Sequence, residues 1–404
     1  MLLCCEDRRQ VCMLIHFSRL IAISGITVLL AACGGSTGDE DIGSTDQAVS
    51  SRHSPSVEPA YAFAKIDQPI AGIASDGDVV FVGEGLSGTV TVLSAATGLP
   101  IATLPPPREG FALPFIIHIV GTHKVAVLGA GGFPQPSPFI PASPFLYEYD
   151  YQYSPRSGFS ATLVRDISFA SATIGFAEDF VHLDDGRYLL TDSVLGSIWV
   201  LDADGRISPG IVPQSFDAAD LIPLLALCPN MPHVTVNGYP FLFSGDTIPG
   251  IEPIAERNGT IYYFSPCARG IYAFPLYVLR DSRRPYRRAE SIRRVASTPP
   301  AIEVEELLDF QFNPYDRADM NLYAAHALVP EVTRVNVLTG EREVLASGER
   351  LFDFPSSLTF LPPDRNGESQ LLVASNQQER WPNTNAAVTT TTFNLPFIVA
   401  RISF

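Results

Sequence analysis

The chain has 404 residues, with 43 acidic against 27 basic side chains and a formal net charge of −16. A surface that tracks phosphate needs a basic stripe, so this balance argues against nucleic acid as a partner. About 345 residues lie beyond residue 59, more than one ordinary core holds, which favours an architecture that divides its core among repeats.

In chain order, residues 20–30 are an apolar run with Arg19 on the N-terminal side. That is the charged-then-apolar layout of an export signal, and it is too short to span a bilayer comfortably. Leu30-Ala31-Ala32-Cys33 ends it. The layout resembles a bacterial lipoprotein signal with its lipobox. That resemblance implies that Cys33 is lipidated, becomes the first residue of the mature chain and anchors it to a membrane. Gly34 stands where inner-membrane retention uses Asp, which by the same analogy favours the outer membrane. Met13 would start a signal of more usual length than Met1 does. The alternative is a buried helix that ends in Ala-Ala-Cys. Residues 34–59 are rich in Gly, Ser, Thr and Asp and cannot bury a core, so a flexible tether is expected before a folded body over 60–404.

The body reads as short apolar runs cut by turn signals. The clearest unit is 176–207, with turns at Asp185-Gly186 and Asp204-Gly205. Asp-Gly tolerates the positive φ angles of a tight hairpin. Weaker echoes start near Ile73, Phe115, Glu252, Asp309 and Ser357, with turns such as Asn258-Gly259 and Asn366-Gly367. A lone meander cannot bury both faces, so a series must pack together, and circular packing of four-stranded meanders is a β-propeller. The expectation is an all-β, six-bladed β-propeller, with a β-sandwich as the alternative. Either Tyr61 to Ile66 or the run around Ile398 to Ile402 supplies the strand that closes the ring.

Three segments stand apart from the units. A stretch at 133–144 carries Pro134, Pro136, Pro138, Pro141 and Pro144 and reads as an extended loop over one rim. Arg283, Arg284, Arg287, Arg288, Arg293 and Arg294 form the one basic cluster, either a solvated edge or a contact for anionic lipid or polysaccharide. Cys228 and Cys267 remain once the signal region is set aside; in an oxidising compartment they are candidates for a disulfide, and their spacing matches no zinc pattern. Such a bond would tie the insertion 208–247 to the fourth unit.

A hairpin returns the chain, so the start of a first strand and the end of a second lie at one edge. Around a ring those edges converge on one mouth of the central channel. Alignment of the units on their turns puts Ala71, Leu113, Glu178, Glu252, Leu308 and Ser356 at first-strand starts. It puts Glu84, Asp192, Ser265, His326 and Asn376 at second-strand ends. Glu178, Glu252, Asp192 and Asn376, with Glu84 as a further candidate, are hard oxygen donors that suit calcium. The competing reading is that Asp192 and its neighbours cap turns and accept backbone amides.

The pattern at 177–193 resembles a blade of the senescence-marker/gluconolactonase propellers, whose relatives include strictosidine synthase-like and NHL-repeat proteins. Residues 259–276 are similar to another such blade. The resemblance implies a divalent metal in the channel that polarises a lactone or ester carbonyl and activates water. Glu178 matches the family's Glu. Glu252 stands where the family has Asn, and Ser356 where it has the Asp credited with base chemistry. His326 is the candidate to replace that base. Two functions follow: a lipid-anchored, calcium-dependent lactonase or esterase, or a non-enzymatic surface propeller that binds a protein or glycan.

Overall fold

The computed structural model describes residues 60–107, 114–129, 144–169, 174, 176–193, 196–211, 234–241, 251–266, 268–280, 291–300, 305–348, 351–382, 385 and 387–404. Cys33 and the export signal, the disulfide candidates Cys228 and Cys267, and most of the proline-rich stretch lie outside these residues.

The first described strand, β1 (Tyr61–Ile66), finds its partner only at the far end of the chain. Blade 1 is β2 (Ile70–Ser75), β3 (Val79–Glu84), β4 (Thr89–Ser94) and β5 (Pro100–Thr103), paired in that order. Blade 2 is β6 (Pro114–Gly121), β7 (Lys124–Gly129), β8 (Phe145–Ser154) and β9 (Gly158–Ser168). Blade 3 is β10 (Ala177–His182), β11 (Tyr188–Asp192), β12 (Ser197–Leu201) and β13 (Ile207–Ile211). A separate hairpin, β14 (Val234–Val236) and β15 (Tyr239–Phe241), precedes blade 4. Blade 4 is β16 (Ile254–Arg257), β17 (Thr260–Ser265), β18 (Gly270–Pro275) and β19 (Arg293–Ser297). Blade 5 is β20 (Leu307–Phe312), β21 (Asn321–His326), β22 (Glu331–Asn336) and β23 (Arg342–Ser347). Blade 6 is β24 (Pro355–Leu361), β25 (Gln370–Ser375) and β26 (Phe397–Ser403), and β1 completes it as the outermost strand.

Every pairing is antiparallel, as short hairpin turns require. At the β16–β17 turn Asn258 and Gly259 both take positive φ, 53° and 73°, which a primed two-residue turn demands. The first strands β2, β6, β10, β16, β20 and β24 touch in a closed circle, which makes the sheets blades around a channel. The described residues form this ring, and the sandwich alternative falls away.

The apolar residues form a separate cluster at every boundary between neighbouring blades. Phe81 and Val92 of blade 1 pack with Val127 and Tyr149 of blade 2. Leu128 of blade 2 packs with Phe180 and Trp199 of blade 3. Ile73 and Val80 of blade 1 pack with Leu372 and Val399 of blade 6, so the closing boundary is as apolar as the others. Each sheet thus buries both faces against its neighbours, which a lone meander cannot do.

A β-bulge recurs near the start of the first strand. The register slips between Ile70 and Gly72, Pro114 and Ile116, Ala177 and Phe180, Leu307 and Asp309, and Pro355 and Ser357. A bulge adds a residue and re-aims the side chains beside it. These bulges lie at one mouth of the channel.

Candidate functional site at the channel mouth

Ala177 pairs with Asp192, Leu307 with His326 and Pro355 with Ser375, so first-strand starts and second-strand ends share one rim. Glu178, Glu252 and Glu306 meet at this mouth, each at most 6% exposed. The Ser193 hydroxyl donates to Glu178 Oε2 at 3.0 Å. Burial, then the charges of Asp179 and Asp192, push the Glu178 carboxyl up to about 8 against that bond. Burial holds Glu252 and Glu306 well above the usual carboxylate range, and charge on other carboxyls of the group adds to it. Glu252 and Glu306 hydrogen-bond to each other, which requires a proton on one of them. Glu252 Oε2, Glu306 Oε2 and the hydroxyl of Ser356 have no hydrogen-bond partner among the described residues.

The structure therefore brings Glu178 and Glu252 together, as the strand alignment expects, with Asp192 close behind. Asp192 Oδ1 accepts the Phe176 amide at 3.2 Å, so it also shapes the start of β10. Asn376 Oδ1 accepts the Gln378 amide at 3.1 Å in a local turn. Glu84 accepts the hydroxyls of Thr91 and Ser87 at 2.6 and 2.8 Å. His326 is fully buried, with Nε2 on the Thr333 hydroxyl at 2.7 Å and Nδ1 3.4 Å from Glu305, itself paired to Arg342. Burial pushes the imidazole down to about 4.

Deeper in the channel a second set of polar groups spans neighbouring blades. Asp179 takes His118 Nε2 from blade 2 at 2.8 Å and the Ile254 amide of blade 4 at 2.8 Å. Asp309 takes the Leu358 amide and the Ser357 hydroxyl of blade 6 at 2.8 and 3.0 Å. Ser357 Oγ in turn accepts the Ile73 amide of blade 1 at 3.1 Å. Burial and the charge of Asp179 push Asp309 up to about 7. The sequence alignment misses Glu306, His118, Asp179 and Asp309. The acidic pair Glu305-Glu306 before an apolar run was the available signal for the first of these.

The hairpin β14–β15 lies over blades 5 and 6 at this mouth. Val236 packs on Leu308, Ala327, Leu328 and Phe354. Asn237 hydrogen-bonds Asp353, and Arg380 bridges Asp353 at 2.8 Å while its guanidinium lies 4.8 Å over the Tyr239 ring.

No protein-family model matches the chain, and no curated protein matches it in sequence. The solved structure of Mala s 1, an allergen of Malassezia sympodialis, superposes with a TM-score of 0.53 at 11% identity, covering 84% of this chain and 94% of that one. The chain is a six-bladed β-propeller. A gluconolactonase from Xanthomonas campestris reaches a TM-score of 0.46 at 12% identity, over 85% of this chain and 89% of its own. An aldose sugar dehydrogenase from Streptomyces coelicolor with bound PQQ reaches 0.45 at 12% identity, over 86% and 98%. The likeness to Mala s 1 speaks to the fold alone.

The donor atoms at the mouth, buried carboxyl oxygens of which two are unpartnered, are of the hard type that a divalent cation such as calcium takes. Among the described residues no group of three or more His, Cys, Asp or Glu forms a ready coordination shell. Uptake of an ion would draw the carboxyls together and release their protons.

Proposed function

We propose that the chain is a lipid-anchored propeller of the cell envelope, held through Cys33, whose channel mouth takes a calcium-type cation and hydrolyses a lactone or ester. Glu178, Glu252 and Glu306 would hold the cation, with the buried, unpartnered Ser356 hydroxyl of the same rim as a further oxygen donor. The observation that carries this reading is the convergence of three buried carboxyls whose neighbouring charges are themselves carboxyls. Ionising them without a counter-ion would cost roughly several kcal/mol per group. The ion-free carboxyls therefore keep their protons, and a cation would compensate the charge they gain on losing them. A bound cation supplies Lewis-acid polarisation of the carbonyl and an activated water. In the ion-free protein Glu178 is oriented by Ser193 and keeps its proton to about pH 8; as a ligand it would give that proton up. His326 has its ring nitrogens turned to Thr333 and Glu305 and takes no part in this scheme.

Calcium titration of the full chain by calorimetry, alongside a lactone and aryl-ester hydrolysis screen, tests the proposal. Expected are stoichiometric calcium, proton release on binding, and loss of both uptake and turnover in Glu252→Gln. Absence of calcium uptake at any pH overturns it. A second reading, a non-enzymatic propeller that binds a protein or glycan, draws support from Ser356 in the place of an acid. Calcium uptake with no turnover on any lactone or ester would favour that reading.

A further inference from the structure

The other end of the channel holds a cavity of about 480 Å³, within the range of small-molecule sites. Ser75, Asp78, His118, Gln311, Tyr315 and Thr359 line it. We propose that this cavity is a second ligand site, built around His118, for a neutral polyhydroxy molecule of sugar size.

His118 is fixed before any ligand arrives. Its Nε2 lies 2.8 Å from Asp179 Oδ1, and its ring meets Phe180 edge-on with centroids 4.7 Å apart. Asp179 also accepts the amides of Phe180 and Ile254, so it acts as a carboxylate and Nε2 is the donor. That leaves Nδ1, which makes no hydrogen bond among the described residues, for whatever occupies the cavity.

The other lining groups are committed by halves. Gln311 gives its amide Nε2 to the Leu358 carbonyl at 2.7 Å, which leaves Oε1 as an acceptor. Thr359 Oγ1 accepts the Ser75 amide at 3.1 Å, which leaves its O–H as a donor. Asp76 Oδ1 accepts the Asp78 and Val79 amides and its Oδ2 the Tyr151 hydroxyl, so it is largely committed. The Asp78 carboxylate makes no hydrogen bond to a described residue and stands exposed at the rim. Tyr315, 40% exposed, brings its hydroxyl to the turn at Gly77 and adds an aromatic ring to the lining.

The free set is thus mixed: Asp78 and Gln311 Oε1 accept, and the Thr359 and Tyr315 hydroxyls donate. His118 Nδ1 accepts when the ring is neutral and donates when it is protonated. Burial opposes the protonated state, but the bond and charge of Asp179 favour it on balance. It calls for a ligand with several O–H donors, some acceptors and a C–H face for the tyrosine ring. An anion would be repelled by Asp76 and Asp78. A cation would find one free carboxylate, that of Asp78 at the rim, with Asp179 already committed to His118 and two backbone amides. A sugar satisfies the set without either cost. This site is independent of the cation at the opposite mouth.

The test is calorimetry of the full chain against glucose, galactose, maltose and cellobiose. At least one should bind, and Tyr315→Ala and Asp78→Asn, both at exposed positions, should each weaken it about tenfold, ~1.4 kcal/mol. Glu252→Gln at the other mouth should leave sugar binding unchanged. Lack of heat with all four sugars overturns the proposal. So does sugar binding that survives both cavity variants, or that is lost in Glu252→Gln instead. Binding of methylamine in place of every sugar also overturns it.

Discussion

Carboxyls of the same type do opposite work at two depths of one channel. In the middle, Asp179 and Asp309 reach across blade boundaries and accept backbone amides from the next first strand. At the mouth, Glu252 and Glu306 have only each other, and an oxygen of each stays unpartnered. The first pair holds backbone across blade boundaries, although Asp309 Oδ1 is itself buried and unpartnered among the described residues. Among the same residues the second set holds no backbone of a neighbouring blade, and a bound ligand would account for it. Side chains that destabilise the empty protein are where a ligand has the most free energy to return.

The sharpest way to break this comparison is to remove a clamp. Asp179→Ala strips the acceptor from the buried Ile254 amide and the partner from the half-buried His118. Removal of one partner of a buried charged pair costs about 3–5 kcal/mol. The midpoint of urea denaturation should fall accordingly, and Asp309→Ala should behave alike through Leu358 and Ser357.

The mouth should respond with the opposite sign. Glu178 binds its proton more tightly folded than unfolded, since its carboxyl is pushed from 4.5 up to about 8. Its contribution to stability is therefore full below about pH 4.5 and is lost as pH rises to about 8. The slope is ~1.4 kcal/mol per pH unit for one such group. Glu178→Gln should flatten that limb and stabilise the calcium-free protein by on the order of 2–3 kcal/mol near pH 8. Saturating calcium should flatten the same limb in the unmodified chain, because the cation then compensates the ionised carboxyls. A Glu178→Gln variant less stable than the parent at alkaline pH would place Glu178 among the clamps.

The ring and part of its mouth were legible in the chain because turn chemistry is local. Asp185-Gly186 and Asn258-Gly259 fix where hairpins reverse, and counting from them puts Glu178 and Glu252 at strand starts. The same count fails in blade 5. The bulge between Leu307 and Asp309 adds a residue, so Leu308 takes the aligned position while the carboxyl at the mouth is Glu306. The clamps were illegible for a different reason. His118 and Asp179 are 61 positions apart, Asp179 and Ile254 75, and Asp309 and Leu358 49, with no periodicity linking them. Only the closed circle of first strands makes them neighbours.

A smaller effect follows from Ser356, whose hydroxyl is buried and unpartnered at the mouth. Ser356→Asp adds a fourth carboxyl to the three already there. Affinity at oxygen sites rises with ligand charge, so calcium should bind about tenfold more tightly, ~1.4 kcal/mol. The calcium-free variant should be less stable at neutral pH by a similar amount. Unchanged affinity would separate Ser356 from the site.

The smallest functional effect belongs to His326, a residue of the same rim held in the manner of the clamps. Its Nε2 meets Thr333, and Glu305 and Arg342 close the other side. Burial lowers the imidazole to about 4 from 6.5, so the unfolded chain takes up a proton that the fold refuses. The sign is the reverse of that for Glu178: stability is kept above about pH 6.5 and lost as pH falls through about 4. His326→Gln should remove this acid limb and lower stability at pH 7 by about 1 kcal/mol through the altered contact with Thr333. Calcium uptake and any ester turnover should stay as in the parent. A general base normally contributes about 10²–10⁴-fold, so a loss of turnover on that scale at unchanged calcium affinity would move His326 from the scaffold to the chemistry.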